Sequence, residues 1–421
     1  MQQPTPFPAE RPTQPPAQRI VELDALRGVA ILGIIVMNVL FFTMPTIAYF
    51  NPRVWGGMDL ANQAVWLLSF VLIEDKMRNL FAMLFGAGVL IMLGKLPGHD
   101  KPDATLSRHV ARMLWLLVIG LAHAILLANN DILRVYAVAG LILPLLAGLS
   151  VRWLIALAVI CMGLHLAGGA YYALPWLELY WDSEAPARAE RLAPAETLFG
   201  ADPARLEREL GRQAGPYISV IMHRAGNISG IFGYVAAALP TTLAAMLSGM
   251  ALLKSGFLSG QWQRRDYAKA MLWAGLVGLL PLSALGYSTV VSGYHAVVVA
   301  GNALVWSAPF DLSLAIGWAA LLIQLVQHNI DAPLTVRVIA AGRMALTNYL
   351  MTSLVLGFVF FGFGLGLFGS VSRIGAMAVA LAMMILILAW SRPWLQRFGQ
   401  GPMEWLWRAL VRRSIGHGVT R

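Results

Sequence analysis

Ten stretches of this 421-residue sequence are long and apolar enough to cross a bilayer, and no other feature narrows the fold so far. A spanning helix needs roughly 20 mostly apolar residues at about 1.5 Å each. The segments 26–44, 76–94, 110–128, 132–149, 152–174, 231–253, 267–288, 309–328, 344–361 and 373–391 meet that template. Two further apolar runs fit it poorly, 61–73, which leads into EDKMRN, and 289–308, which glycines interrupt, so each reads as a re-entrant or interfacial segment and the range is nine to eleven spans. Composition agrees, with 58% apolar and 12% charged residues where a soluble domain carries about 45–50% and about 25%. The expectation is an all-α, polytopic transmembrane helical bundle of about ten spans. A single cysteine, Cys161, rules out an intramolecular disulfide framework. Without a Cys/His cluster at ligand spacing, no metal is expected.

Charge placement orients the bundle. With the N-terminus in the cytoplasm, inner loops and tails carry 20 of the 31 Lys and Arg residues, while the short outer loops carry only Arg53, Arg134 and Arg373. By the positive-inside rule both termini are cytoplasmic in a multi-pass protein of the bacterial inner membrane. The net charge of +10 then follows from topology, and no nucleic-acid partner is needed. Residues 1–19 hold six prolines and read as a disordered tail. Without a short basic start and a small-residue cleavage site around it, the first apolar run is expected to be a retained anchor rather than a cleaved signal peptide. The expected organisation is a first transmembrane half over 20–174, an outer loop with short helices over 175–230, a second half over 231–391 and a basic interfacial tail over 392–421. In the outer loop, Asp202 and Pro203 form an N-cap and first-turn pair opening a helix ARLERELGRQ. Near the end, Trp405 and Trp407 beside Arg408, Arg412 and Arg413 suit a helix lying in the interface.

A central charge inside a span costs roughly 2.5–3.5 kcal/mol on insertion scales, so each intramembrane polar residue is a candidate site. In RIVELDALRGVAILGIIVMN, Asp24 and Arg27 are three apart and Asn38 lies eleven beyond Arg27, about 16 Å deeper on the same face. Their plain alternatives are a helix-start ion pair and an interhelical hydrogen bond. In EDKMRN, Lys76 follows Glu74 and Asp75 at the outer start of a span, either snorkelling or facing a polar cavity. In the third span His123 lies eleven residues after Arg112, which sets it at the depth of Asn38. His123 is a packing residue or, since imidazole titrates near neutrality, a base. Asp131 reads as the N-cap of the next helix or as a partner for a His or Lys. In AAGRMALTNYLMTS, Arg343 either snorkels to the interface or joins a cationic cluster with Arg27 and Arg112. No phosphate-binding glycine loop, nucleophile elbow or HExxH helix occurs in the sequence.

The runs RIVELDALRGVAILGIIVMN, KMRNLFAMLFGAG, GLAHAILLANNDILRVYAVAG, GRMALTNYLMTS and GPMEWLWR, in that order and across nearly the whole chain after residue 19, resemble the YeiB-like bacterial membrane proteins, domain of unknown function 418. The opening LDALRG run is also similar to the start of the wider transmembrane acyltransferase superfamily, which includes the acyltransferase-three proteins and heparan-glucosaminide acetyltransferases. That resemblance implies transfer of an acyl group from cytoplasmic acyl-CoA, a co-substrate rather than a tightly bound cofactor, to a glycan or small-molecule acceptor at the outer face. Members of that superfamily use a histidine near the end of the first span, where this sequence has MNVLFFTMPTIAYF with Asn38 and no histidine. In this reading His123 is the base, Asn38 or Asp131 orients it, and Lys76 holds the acceptor or stabilises developing negative charge. Arg27, Arg112 and Arg343 attract the donor phosphates. The other functional expectation is a secondary transporter, since five spans per half would give halves of inverted topology. In a third, the polar residues only lock helices together in a lipid-embedded scaffold.

Overall fold

A computed structural model describes residues 20–95 and 106–416, so the proline-rich tail expected over 1–19 lies outside the described residues. Among them the chain is helical, with no strand. The first half comprises α1 (Val21–Thr43), α2 (Ile47–Phe50), α3 (Leu60–Leu72), α4 (Lys76–Met92), α5 (Leu106–Leu126), α6 (Leu133–Leu146) and α7 (Val151–Trp181). Three short helices follow: α8 (Arg188–Phe199), α9 (Pro203–Ala214) and α10 (Tyr217–Gly226). The second half comprises α11 (Ile228–Lys254), α12 (Arg264–Ala274), α13 (Leu280–Val291), α14 (Ala296–Gly301), α15 (Ala308–His328), α16 (Pro333–Arg343), α17 (Ala345–Phe360) and α18 (Arg373–Phe398), and α19 (Pro402–Gly416) closes the chain.

Seven continuous helical segments are long and apolar enough to cross a membrane, and an eighth span results if α16 and α17, bent by 85° at Met344, count as one. The other two stretches expected to span are helical but short, 17 residues in α4 and 14 in α6. Each has a local cause. Asp75 sits in the left-handed region (φ 57°) and starts α4 abruptly, a conformation that aspartate tolerates better than most residues. Pro144 lies inside α6, two residues before its last residue Leu146, where its missing N–H weakens the final turn. The two ambiguous runs become α3 and, over 296–306, α14 with a π-helical turn at Asn302–Trp306.

Lipid is as apolar as leucine, so close backbone approach rather than hydrophobic burial holds such helices together. Two crossings show this. A Cβ on Gly28 would lie 2.0 Å from the Val338 carbonyl oxygen, and one on Gly342 would lie 1.9 Å from that of Asp24, locking α1 to α16. Gly86 and Gly249 interlock α4 and α11 in the same reciprocal way, at 2.1 Å from the Met246 oxygen and 1.9 Å from the Met83 oxygen. Leu80, Ala87, Leu90, Met246 and Met250 are buried around that second crossing. By contrast, α7 and α18 present leucine, isoleucine and valine outwards, Val159 being 65% and Ile385 59% exposed, as a perimeter meeting acyl chains would.

The two ends of the bundle differ. At one, the short helices cap the bundle: Glu209 of α9 accepts from the Thr46 N–H (2.8 Å) and hydroxyl (2.6 Å), Asn51 donates to the Phe199 and Tyr294 carbonyls, and Gly362 N–H donates to the Gln213 carbonyl. The helix expected after Asp202 is α9, and the Asp202 carboxylate accepts from the N–H groups of Ala204 and Arg205. At the opposite, basic end, Lys254 ties down the Ala147 and Leu149 carbonyls, and α19 folds back across α5 and α17. Glu404 of α19 accepts from the Leu346 and Thr347 N–H groups and the Thr347 hydroxyl. A carboxylate from another helix therefore caps α17 where the bend leaves its first N–H groups unpaired.

Candidate functional site

Beneath the cap lies a cavity of about 600 Å³, a size suited to a small molecule. Its walls come from the end of α1, the short α2, the middle of α7, the α3–α4 and α5–α6 junctions, α9, α10, α11 and the π-turn before α15, and its lid is the cap. One part is aromatic and aliphatic, with Met37, Phe41, Phe42, Phe50 and Phe361. The left-handed turn at Asp75 brings Glu74, Asp75 and Arg78 to the cavity, where Arg78 Nε donates to Asp75 at 2.6 Å. From the cap come Arg212, His223 and Arg224.

Arg224 is electrostatically unusual. It is only 7% exposed and its Nη1 is buried without a partner. Among the described residues no carboxylate pairs with it; its guanidinium lies 5.5 Å from the centre of the Phe361 ring. Burial pulls its pKa down to about 10, Tyr217 opposing and Arg212 adding to the fall. Deeper in, on α7, the Nε2 atom of His165 is also buried without a hydrogen bond.

Directly behind one wall, His123 sits at the hub of a polar chain. Its Nδ1 lies 2.9 Å from Asp131 Oδ1 and its Nε2 lies 2.9 Å from the Ser353 hydroxyl. A carboxylate can only accept, so in the neutral ring Nδ1 carries the proton and Nε2 accepts from Ser353. Asp131 also accepts the Arg134 N–H at 2.9 Å and has the Arg134 guanidinium at 3.5 Å and the Tyr349 hydroxyl at 3.5 Å. It therefore serves both purposes expected of it, a helix-start acceptor and a histidine partner. His123, Asp131 and Ser353 are each at most 3% exposed, but Asp131 is flanked by the cavity-lining residues Asn130 and Ile132. Asn38 lines the same wall and accepts from Asn130 Nδ2 at 3.4 Å. The eleven-residue spacings thus bring Asn38 and the Asp131–His123 pair to one region of the bundle.

Lys76 does not line the cavity. Its ammonium pairs with Asp311 of α15 at 2.6 Å and donates to the Phe70 carbonyl, and the two side chains are 1% and 2% exposed. The three arginines expected to gather donor phosphates lie towards the basic end, on α1, α5 and α16. Arg27 pairs with Asp24 at 3.1 Å, Arg112 stacks 4.6 Å from the centre of the Trp407 ring, and Arg343 donates to the Gly399 carbonyl at 3.3 Å.

Sequence reasoning passed over Arg224, Asp311 and Ser353. Asp311 carried a usable signal, an acid in the first turn of an apolar run that starts at Pro309. Arg224 carried none, being one of six arginines in a polar loop, and only the packing of α10 under the cap distinguishes it. Ser353 looks like an ordinary small residue on a packed helix until His123 arrives from another span.

The family model described as "Protein of unknown function (DUF418)" matches residues 252–414. The chain is 32% identical over 410 residues to "Uncharacterized protein YeiB" of Escherichia coli (strain K12), covering 96% of this chain and 99% of that one. It is 29% identical over 406 residues to "Uncharacterized protein YxaH" of Bacillus subtilis (strain 168), covering 93% and 94% respectively. With a near end-to-end match to one relative and a family match to its second half, this multi-pass helical chain belongs to the YeiB-like DUF418 family.

Proposed function

We propose that this protein, lying in the bacterial inner membrane with its capped end outward, transfers an acyl group from cytoplasmic acyl-CoA to an acceptor held in the outer cavity. The observation that carries the reading is the hydrogen-bonded chain Asp131–His123–Ser353 behind the cavity wall. Asp131 fixes the tautomer that leaves Nε2 free to take a proton, and it stabilises the imidazolium that forms. An acceptor hydroxyl gives its proton to Nε2 through the Ser353 hydroxyl, which passes its own proton to the ring, as the acceptor oxygen attacks the thioester carbonyl. The C–S bond then breaks and the departing thiolate recovers the proton from His123. Asn38, whose amide N–H groups make no hydrogen bond among the described residues, is the donor suited to the developing oxyanion. Arg27, Arg112 and Arg343 serve the donor phosphates at the basic end, while Lys76, through Asp311, fixes the segment that presents Glu74, Asp75 and Arg78. The acceptor is a glycan or small molecule.

The test is transfer of radiolabelled acetyl groups from acetyl-CoA to membrane acceptors by the purified protein. His123→Ala should abolish transfer while the protein remains folded, Asp131→Asn should cut it by orders of magnitude by releasing the tautomer, and Arg27→Ala should raise the acetyl-CoA Kd. Wild-type turnover in a folded His123→Ala protein would sink the assignment. A transport reading draws support from one different observation, the Lys76–Asp311 pair, which joins α4 of the first half to α15 of the second. Gradient-driven uptake into proteoliposomes that is lost on breaking that pair would favour it.

A further inference from the structure

The cavity holds a cation without a counter-ion. A buried guanidinium is costly unless something negative pairs with it, and the neighbouring charges are already committed. Of the carboxylates that line the cavity, Asp75 is paired with Arg78, Glu209 is held by Thr46, Glu74 sits beside Asp75 and the Tyr49 hydroxyl, and no described carboxylate pairs with Arg224, whose Nη1 has no partner. Arg212 lines the same cavity, close enough for its charge to be felt at Arg224. Two guanidiniums at the lid match a group that carries more than one charge and several acceptor oxygens, because the planar fork of arginine fits phosphate oxygens two at a time. The opposite part of the cavity offers Phe41, Phe42 and Phe50, which would be wasted on a free inorganic anion.

We propose that the outer cavity binds a phosphate-bearing amphiphile, its phosphoryl head clamped by Arg224 and Arg212 beneath the cap and its apolar part lying along the Phe41, Phe42 and Phe50 wall. This rests on the cavity being the acceptor site of the proposed transfer and names the acceptor class: a molecule with a phosphoryl head, an apolar tail and a free hydroxyl. The phosphoryl group is not the reacting group; it fixes the molecule so that the hydroxyl can reach the His123 side of the wall. The amphiphile enters from the outer leaflet, so a lipid and a soluble phosphate ester share the head chemistry and differ in the tail.

Binding is measured without turnover, by titration calorimetry on the full chain in dodecyl maltoside micelles, which carry no phosphate. The probes are dioctanoyl phosphatidic acid, dioctanoylglycerol and inorganic phosphate. Saturable binding of the phosphatidic acid is expected, at least about tenfold tighter than inorganic phosphate, with none from the diacylglycerol. Arg224→Gln should weaken it about tenfold or more, the scale of one charged hydrogen-bond set. Arg212→Gln, at a half-buried position where folding is safer, should also weaken it, whereas Arg205→Gln, on the same cap but outside the cavity, should leave it unchanged. Equal affinity for phosphate and phosphatidic acid would overturn the amphiphile assignment. So would binding insensitive to both Arg224→Gln and Arg212→Gln, or lost equally in Arg205→Gln. If the wild type binds the phosphatidic acid in this way but transfers no acyl group, the transferase reading fails while the ligand assignment stands.

Discussion

Breaking the Lys76–Asp311 pair should reveal how much of this bundle is held by charge. The two groups are 2.6 Å apart and 1% and 2% exposed, so either alone becomes an uncompensated charge out of water. Removing one partner of such a pair costs about 3–5 kcal/mol, whereas replacing both with well-packed apolar side chains is near neutral. The two single losses should differ. In Lys76→Met, Asp311 remains in the first turn of α15, where the helix dipole offsets about 0.3–1 kcal/mol, so a loss of about 3 kcal/mol is expected. In Asp311→Leu, Lys76 keeps only the Phe70 carbonyl and the Phe70 ring, 5.4 Å from its Nζ, and the loss should approach 5 kcal/mol. The double variant should lie within about 1 kcal/mol of wild type, a coupling of several kcal/mol. Reversible unfolding by SDS in mixed micelles gives all four corners of this cycle. The reasoning is refuted if either single change costs less than about 1 kcal/mol, or if the double variant costs the sum of the two.

Three further outcomes follow from other parts of the fold. Gly249→Ala places a methyl group where the Met83 oxygen stands at 1.9 Å, so α4 and α11 must separate, and the same unfolding assay should show a loss of about 1–3 kcal/mol. Glu404→Ala removes the acceptor for three donors at the start of α17. A loss of about 1–2 kcal/mol with faster proteolysis of α19 is expected, and unchanged proteolysis would count against the capping role. His295 lies in the connection before α14, where its Nδ1 accepts from the Val297 N–H and its Nε2 lies 3.4 Å from Glu196. Burial lowers its pKa below 6.5, with Glu196 opposing and Arg188 and Arg53 adding. The unfolded chain therefore binds the proton more readily, and the stability this residue confers is complete above pH 6.5 and lost as pH falls through the lower folded value. Hydrogen exchange at the start of α14 should accelerate on acidification, and His295→Gln should remove most of that dependence.

The sequence alone determined that the chain is a polytopic helical bundle, because runs of about 20 apolar residues have no other stable arrangement in or out of water. It also marked the polar residues worth examining, since a three-turn spacing such as Arg112 to His123 keeps a face and fixes a depth along one helix. Depth within a helix is a local property, and so is a cap such as Asp202. What faces what across the bundle is not local. Ser353 meets His123 across 230 residues of chain, and Lys76 meets Asp311 across 235. Arg224 shows the limit most plainly: in the sequence it is an arginine in a polar loop, and it becomes an unpaired buried cation only because α10 is folded under the cap. Hydrophobic length is written in the order of the residues, but the pairing of a buried charge is decided by which helix lies opposite it.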